Sequence, residues 1–179
     1  VTFHAHPDDE AIATGGMMAR AAADGHRVIL VVATRGEVGE VDEGFLDEGE
    51  QLWERRVAET HAAAAILGAS RVEFLGYRDS GMMGTPENDV PEAFWQADVG
   101  EAASRLAALL AEEHADVLTF YDEHGGYGHP DHIWAHRTAR RAAEVMGVPF
   151  WTIGGGAEAI VIDVGAVIER KISALRAHE

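Results

Sequence analysis

The feature that most constrains the fold of this chain is an unbroken apolar run, Val-Ile-Leu-Val-Val-Ala, at residues 28–33. A strand with one face in water alternates apolar and polar side chains, so an unbroken run indicates a strand that is covered on both faces. Patterning predicts further strands over residues 1–5, 72–75, 116–121, 150–153 and 160–162. Helical spacing and terminal glycines predict helices over residues 11–23, 48–67, 98–114 and 133–146, and from about Val164 to the end.

Strands that alternate with helices predict right-handed crossovers and a mostly parallel sheet with helices on both faces. We therefore expect a single domain over residues 1–179 with a Rossmann-like three-layer α/β fold. Ligands of such sheets bind beyond the carboxyl ends of the strands. This rule places function in the loops at residues 4–10, 34–49, 77–98 and 122–132.

Two of these loops contain nearly the same tetrapeptide, His6-Pro7-Asp8-Asp9 in the first and His129-Pro130-Asp131-His132 in the last. In each, the first and fourth residues can bind a metal ion, and the proline lets a helix start immediately afterwards. A single His-Pro-Asp sequence is usually a solvated turn. Two copies at the same edge of one sheet favour a metal site instead, because His and Asp side chains then converge in a concave region.

The chain contains no cysteine, so a metal site must use histidine and carboxylate ligands. His6, Asp9, His129 and His132 are the four candidates, and a catalytic zinc site needs three of them together with an open position. Iron(II) could occupy the same ligands. Asp8 would then lie beside a water molecule whose proton it could accept, and Asp131 would orient a histidine.

These two segments, Ala5 to Glu10 and Gly126 to His132, resemble the LmbE/PIG-L family of N-deacetylases. The family includes the deacetylases of mycothiol and bacillithiol biosynthesis, mycothiol S-conjugate amidase and the GlcNAc-phosphatidylinositol deacetylase. The resemblance covers nearly the whole chain and implies an LmbE-like fold. It also implies a zinc-dependent hydrolase that removes an N-acetyl group from an N-acetylglucosamine-type substrate.

The resemblance implies a role for each matching residue. The implied zinc ligands are His6, Asp9 and His132, and the implied general base is Asp8, which later returns its proton to the leaving amine. His129 matches the residue that stabilises the oxyanion or assists as an acid. Tyr127 matches a tyrosine that helps to polarise the substrate carbonyl, and Asp131 matches the residue that pairs with the active-site histidine.

Two further matches concern the substrate. Arg56 falls where the mycothiol enzymes have a substrate-contacting arginine, and Asp79 falls in a segment whose aspartate binds sugar hydroxyls. The mycothiol enzymes also have a long C-terminal region that forms part of the substrate pocket, for which this chain has little room. Two alternatives therefore stay open: an amidase that cleaves a mycothiol-type thiol conjugate, and a metal-retaining sugar-binding protein without turnover.

The charge of the chain indicates which partners to expect. A formal net charge of -17 argues against nucleic acid, because phosphate binding needs a basic face. We expect a small amino-sugar substrate, and the sequence leaves a homo-oligomer open. No apolar run has the length of a membrane span and no signal peptide opens the chain, which favours a cytoplasmic location.

The remaining candidates have simpler interpretations. His4 is expected to be a packed or hydrogen-bonded strand residue, His136 a partly buried neighbour of the metal site, and His124 a loop residue that lines the pocket. His178 has no partner that the sequence reveals. The acidic stretch at residues 37–50 is expected to be a solvated loop or lid, and the triple glycine at residues 154–156 either a flexible turn or the place of a longer loop.

Overall fold

The computed structural model describes residues 1–154 and 159–178. Its five strands are Thr2–His4 (β1), Ile29–Thr34 (β2), Arg71–Tyr77 (β3), Leu118–Tyr121 (β4) and Phe150–Ile153 (β5). They form one sheet in the order β3-β2-β1-β4-β5, and every pairing between them is parallel. This arrangement confirms the predicted Rossmann-like α/β fold.

Helices cover both faces of the sheet. They are Gly15–Ala23 (α1), Leu52–Leu67 (α2), Val99–Glu112 (α3), Gly125–Gly128 (α4), Pro130–Met146 (α5) and Ile168–Leu175 (α6). A π-helix at Glu10–Thr14 leads into α1, and short 3-10 helices occupy Pro86–Asp89, Phe94–Gln96 and Gly165–Val167. In residues 1–154 and 159–178, every helix is too short or too polar to traverse a bilayer.

The core lies in two layers, one on each side of the sheet. Ile29 and Val31 of β2 point to the side where α3 and α5 pack, whereas Leu30 and Val32 point to the side of α1, α2 and α6. Successive side chains of a strand face opposite ways, so both sets are buried only when both faces are covered. This explains the apolar run and confirms the three-layer architecture.

Capping residues explain why α2 and α5 begin at residues other than those predicted. α2 begins at Leu52 rather than at residue 48, because Gln51 caps it and exchanges hydrogen bonds with Glu54 in a capping box. α5 begins at Pro130 rather than at residue 133, because His129 caps it and proline suits the first helical position. The second His-Pro-Asp segment is therefore the beginning of a helix.

The predicted strand at residues 160–162 is wrong. Ile160, Val161 and Ile162 are exposed and pair with no strand of the described residues. Their β-branched side chains favour an extended backbone, but a strand also needs a neighbour with which to form hydrogen bonds. Gly155 and Gly156 of the triple glycine lie outside the described residues.

The topology brings the two His-Pro-Asp loops together. The order of the strands reverses between β1 and β4, which lie side by side in the middle of the sheet. At such a switch point the loops after the two strands diverge and leave a crevice. One loop follows β1 and the other follows β4, so the fold places the two motifs on opposite sides of this crevice.

Candidate metal centre and catalytic site

Three side-chain atoms from the two loops converge on one point. Nε2 of His132 lies 3.3 Å from Nδ1 of His6, and Oδ2 of Asp9 lies 3.4 Å from each of these nitrogens. A tetrahedral zinc ion with bonds of about 2.1 Å holds its ligands about 3.4 Å apart. The donor set and its spacing therefore fit such an ion, and the cluster could hold a metal.

The other nitrogen of His6 faces two carboxylates. Oδ2 of Asp131 lies 3.1 Å from Nε2 of His6, and Oδ1 of Asp79 lies 3.5 Å from it. These carboxylates already accept hydrogen bonds from the backbone N–H groups of Ser80 and Gly81. This second group also has the residue types of a metal site, but its oxygens are used in orienting His6, as carboxylates behind a metal-binding histidine commonly are.

His129 lies against the same cluster. Its ring centroid is 4.5 Å from that of His6, and its Nδ1 accepts a hydrogen bond from the backbone N–H of Asp131. A neutral histidine whose Nδ1 accepts carries its proton on Nε2. Burial, together with the nearby His6, lowers the pKa of His129 to about 4, so the ring is neutral near pH 7. It can therefore donate one hydrogen bond from Nε2.

The cluster concentrates negative charge in a buried place. Burial opposes protonation of His6, but the carboxylates of Asp131, Asp79 and Asp9 outweigh burial and raise its pKa well above the ordinary value. Burial likewise opposes ionisation of Asp9, but hydrogen bonds with His132 and His6 hold its pKa well below the ordinary range. Buried carboxylates need a compensating positive charge, which a divalent cation would supply.

Asp8 stands beside this cluster at the edge of an open cleft. Its carboxylate is 39% exposed, and Oδ2 accepts a hydrogen bond of 3.0 Å from Nη2 of Arg56. Burial and the neighbouring charge of Asp9 raise the pKa of Asp8, and Arg56 opposes that rise. The cleft has a volume of about 750 Å³, and its wall also includes Glu59 and His178.

Arg56 connects three segments around the cleft. In addition to Asp8, it donates hydrogen bonds to the carbonyl oxygens of Pro7 at 2.8 Å and Gly36 at 3.2 Å. A Cβ atom at Gly36 would lie 2.1 Å from Nη1 of Arg56, and the φ of Gly36 is 68°, so only glycine fits there without displacing the guanidinium. Arg56 therefore fixes the position of Asp8.

The two other predicted site residues differ in exposure. Tyr127 is 70% exposed, and its ring centroid lies 5.0 Å from that of His132 at the mouth of the site. Asp79 is only 4% exposed and faces His6 and the backbone of its own loop. Contact of Asp79 with a sugar hydroxyl stays a prediction.

Sequence reasoning missed two residues that hold the cluster. The hydroxyl of Tyr121 donates to Oδ2 of Asp9 at 2.7 Å and accepts from the backbone N–H of Ala5 at 2.9 Å, and its ring stacks on His132. Burial raises the pKa of Tyr121 well above its ordinary value, which keeps the hydroxyl protonated. The hydroxyl of Ser80 donates to Oδ1 of Asp131. Their positions at or just after the carboxyl ends of β4 and β3 were the available signal.

His4 and His136 agree with their simple interpretations, whereas His124 is not among the residues that line the cleft beside Asp8. His4 is fully buried in β1 and forms hydrogen bonds with Thr14 at 2.8 Å and Tyr121 at 3.3 Å. His136 is partly buried, and its Nδ1 donates to the carbonyl of Tyr121. The side chain of His124 is largely exposed on the loop before α4.

Two proteins with similar sequences are named 1D-myo-inositol 2-acetamido-2-deoxy-α-D-glucopyranoside deacetylases. The one from Catenulispora acidiphila is 52% identical over 163 residues, which cover 86% of this chain and 50% of that protein. The one from Acidothermus cellulolyticus is 42% identical in an alignment of 223 positions, which covers 98% of this chain and 76% of that protein. The chain thus spans half the length of the first relative.

Among solved structures, the chain is similar in fold to the N,N'-diacetylchitobiose deacetylase from Pyrococcus horikoshii. That similarity has a TM-score of 0.78 at 23% identity and covers 99% of this chain and 68% of the other. The family model described as PIG-L, GlcNAc-PI de-N-acetylase, matches residues 1–143, which include both His-Pro-Asp motifs. The chain therefore belongs to the PIG-L family of de-N-acetylases.

Proposed function

We propose that this protein is a zinc-dependent N-deacetylase acting on an N-acetylglucosamine-type amino sugar linked to inositol. The observation that carries the proposal is the spacing of 3.3–3.4 Å among donor atoms of His6, Asp9 and His132, with the carboxylate of Asp8 near enough for its charge to interact with Asp9 and His6. Membership of the family supports the reaction. The names of the relatives support the inositol-linked substrate.

His6, Asp9 and His132 would hold the metal, and Asp131 and Tyr121 would hold two of these ligands in place. When bound, zinc supplies a Lewis acid that polarises the amide carbonyl and lowers the pKa of water. A set of two histidines and one carboxylate suits zinc or iron(II), and metal analysis distinguishes the two.

Asp8 would move the proton. Its carboxylate accepts the proton of the attacking water and later returns it to the amine nitrogen as the C–N bond breaks. The hydrogen bond from Arg56 keeps the carboxylate pointing into the cleft throughout. The products are a free amine and acetate.

His129 and Tyr127 would stabilise the oxygen that becomes negatively charged. Because Nδ1 of His129 accepts a hydrogen bond from the backbone N–H of Asp131, the proton of the neutral ring is on Nε2. This N–H would donate to the oxyanion. Tyr127 can add its hydroxyl from the exposed side of the site. Donors that are in place before the reaction stabilise such an oxyanion by several kcal/mol, at about 3 kcal/mol for each donor.

Arg56 and Asp79 are the proposed contacts to the sugar. Arg56 reaches the cleft and can bind a hydroxyl while it still holds Asp8, whereas Asp79 must first become accessible. A cytoplasmic location and a homo-oligomer stay predictions.

The test combines metal analysis with a panel of acetamides that includes the inositol-linked acetamido sugar. We expect one zinc per chain and release of amine from this sugar. In Asp8→Asn we expect kcat to fall by about 10³-fold, within the range for general-base catalysis. Its zinc content should equal that of the wild type, and the surface control Asp24→Asn should keep full activity.

Other outcomes would select other functions. Cleavage of a thiol conjugate without cleavage of acetamido sugars would identify an amidase. Bound metal without cleavage of any amide would identify a sugar-binding protein. Loss of zinc in Asp8→Asn would mean that Asp8 is a ligand rather than the base.

A further inference from the structure

A second polar cluster lies beside the proposed site, where the C-terminal segment meets the beginning of the chain. Nε2 of His178 lies 2.7 Å from Oε1 of Glu10, and Nδ1 of His178 lies 3.9 Å from Oε2 of Glu59. Glu10 is fully buried, and the side chain of His178 is 9% exposed. None of these residues has a role in the function proposed above.

The cluster links the two segments that hold Asp8 and Arg56. Glu10 follows Asp8 by two residues, at the start of the π-helix, and Glu59 follows Arg56 by less than one turn of α2. His178 lies between the two glutamates, and its ring forms part of the wall of the cleft that Asp8 faces. It therefore connects the C-terminal segment to Glu10 by a hydrogen bond and to Glu59 by proximity alone, since its Nδ1 has no hydrogen-bond partner among the described residues.

Two other contacts of the C-terminal helix repeat this connection. Nζ of Lys171 donates to the carbonyl of Ile12 in the π-helix at 2.6 Å, and Nε of Arg170 donates to the carbonyl of Ile66 in α2 at 2.9 Å. The same two segments are thus held at both ends of α6. Of these three contacts, that of His178 is the nearest in sequence to Asp8 in the first segment and to Arg56 in the second.

Glu10 depends on His178 for its hydrogen bond. Its second carboxyl oxygen, Oε2, is buried and has no hydrogen-bond partner among the described residues. Without His178, both oxygens would lack a partner, and a buried polar group without a partner destabilises a structure. The segment that carries Asp8 would then move to bring Glu10 to water.

We propose that His178 is a positioning residue for the deacetylation. This proposal rests on the function proposed above. Through its hydrogen bond with Glu10 and its position beside Glu59, it fixes the Asp8–Arg56 pair relative to the cluster of His6, Asp9 and His132. Its removal lowers the rate of the chemical step and leaves metal binding and the affinity for the sugar nearly unchanged.

The side chains of glutamine and asparagine provide a matched test. The amide nitrogen of glutamine is as many bonds from the backbone as Nε2 of histidine, so His178→Gln keeps a donor for Glu10. The shorter His178→Asn cannot reach it. We expect kcat on the inositol-linked acetamido sugar to fall at least about 10-fold in His178→Asn and to recover largely in His178→Gln, with KM and zinc content within about twofold of wild type. The exposed His26→Asn is the control.

A merely structural role would give a different pattern. His178→Asn with wild-type kcat, or equal losses of kcat in both variants, would overturn the proposal. Loss of zinc together with kcat would also overturn it, because His178 would then act on the metal site.

A second measurement does not need turnover. The thermal midpoints of Asp8→Ala, His178→Asn and the double variant form a cycle. We expect the double variant to lose less than the sum of the single losses, because His178 holds a pair that Asp8→Ala has already broken. Additive losses would overturn the proposal that His178 positions the Asp8–Arg56 pair. If the wild-type protein has no activity but the cycle is non-additive, the deacetylase function is refuted and the positioning role of His178 is retained.

Discussion

At the scale of single residues, Asp8 combines a partly exposed carboxylate with an unusual backbone. Its φ is 87°, in the left-handed region that residues with a Cβ atom seldom adopt. Such strain persists only where the surroundings enforce it, and it is common at catalytic sites. Here the hydrogen bonds from Arg56 to the carbonyl of Pro7 and to the Asp8 side chain supply that constraint.

The strain predicts a difference between two variants that lose the same carboxylate. We expect Asp8→Gly to be more stable than Asp8→Ala by about 1 kcal/mol, because glycine adopts positive φ without a Cβ clash. Urea unfolding of the two metal-free proteins measures this difference. If the alanine variant is equally stable or more stable, the backbone at residue 8 carries no strain.

The hydroxyl of Tyr121 supports the metal cluster by a hydrogen bond to Asp9. In Tyr121→Phe, the ring can still stack on His132, but Asp9 loses a hydrogen-bond donor and the N–H of Ala5 loses its acceptor. Loss of such a supporting contact lowers metal affinity by about 10- to 100-fold, which is the loss that we expect. Competition with a chelator of known affinity measures it, and Tyr77→Phe is the control. An unchanged affinity would show that Asp9 is positioned without Tyr121.

At the scale of elements, one helix end organises half of the site. Pro130 starts α5, His129 caps it, and the first turn places Asp131 behind His6 and His132 in front of it. The short tetrapeptide can supply three functional side chains because consecutive residues of a helix N-terminus point in different directions. The π-helix after Asp9 plays the corresponding role in the other loop.

Far from the site, a charged cluster joins β3 to α3 and predicts a dependence on pH. Glu113 accepts hydrogen bonds of 2.8 Å from both Arg27 and Arg71, and these arginines lower its pKa to about 2. Because the folded pKa is below the unfolded one, the contribution to stability is complete above the ordinary glutamate value of about 4.3. It disappears as the pH falls towards 2.

We therefore expect Glu113→Gln to lower the thermal midpoint by a few degrees at neutral pH. The difference from wild type should shrink between about pH 5 and pH 2, and also in high salt, since the cluster is near the surface. Thermal unfolding followed by circular dichroism at several pH values measures both trends. A difference that does not change with pH would contradict the ionic origin of the effect.

At the scale of the whole molecule, folding gathers carboxylates that repel one another around His6. Asp9, Asp79 and Asp131 come from three separate segments of the chain, and all have carboxyl oxygens within 3.5 Å of the His6 ring. A cation bound there opposes this repulsion only in the folded state. Metal binding should consequently be linked to global stability.

Zinc at 100 times its dissociation constant should raise the unfolding free energy by about 2.7 kcal/mol. We expect a higher thermal midpoint with zinc, a lower one after treatment with a chelator, and no response to zinc in Asp9→Ala. Differential scanning calorimetry measures these changes. An equal response in wild type and Asp9→Ala would place the metal elsewhere.

Local sequence patterns predicted the fold class and four candidate metal ligands, and the family resemblance selected three of the four. The apolar run of β2 indicates cover on both faces, and the parallel direction of the strands places both His-Pro-Asp segments at one sheet edge, where they can converge. The structure was needed to show that β1 and β4 are neighbours. The same patterns failed at residues 160–162, because propensity does not tell whether a strand has a neighbour.

Only the tertiary structure decided which atoms meet. Nδ1 of His6 faces His132 while Nε2 faces Asp131, and Tyr121, Ser80 and His178 support the site. These contacts depend on packing between residues at least 51 positions apart. Sequence periodicity records the face on which a side chain lies. The direction of its polar atoms is set by partners that only the folded chain brings within reach.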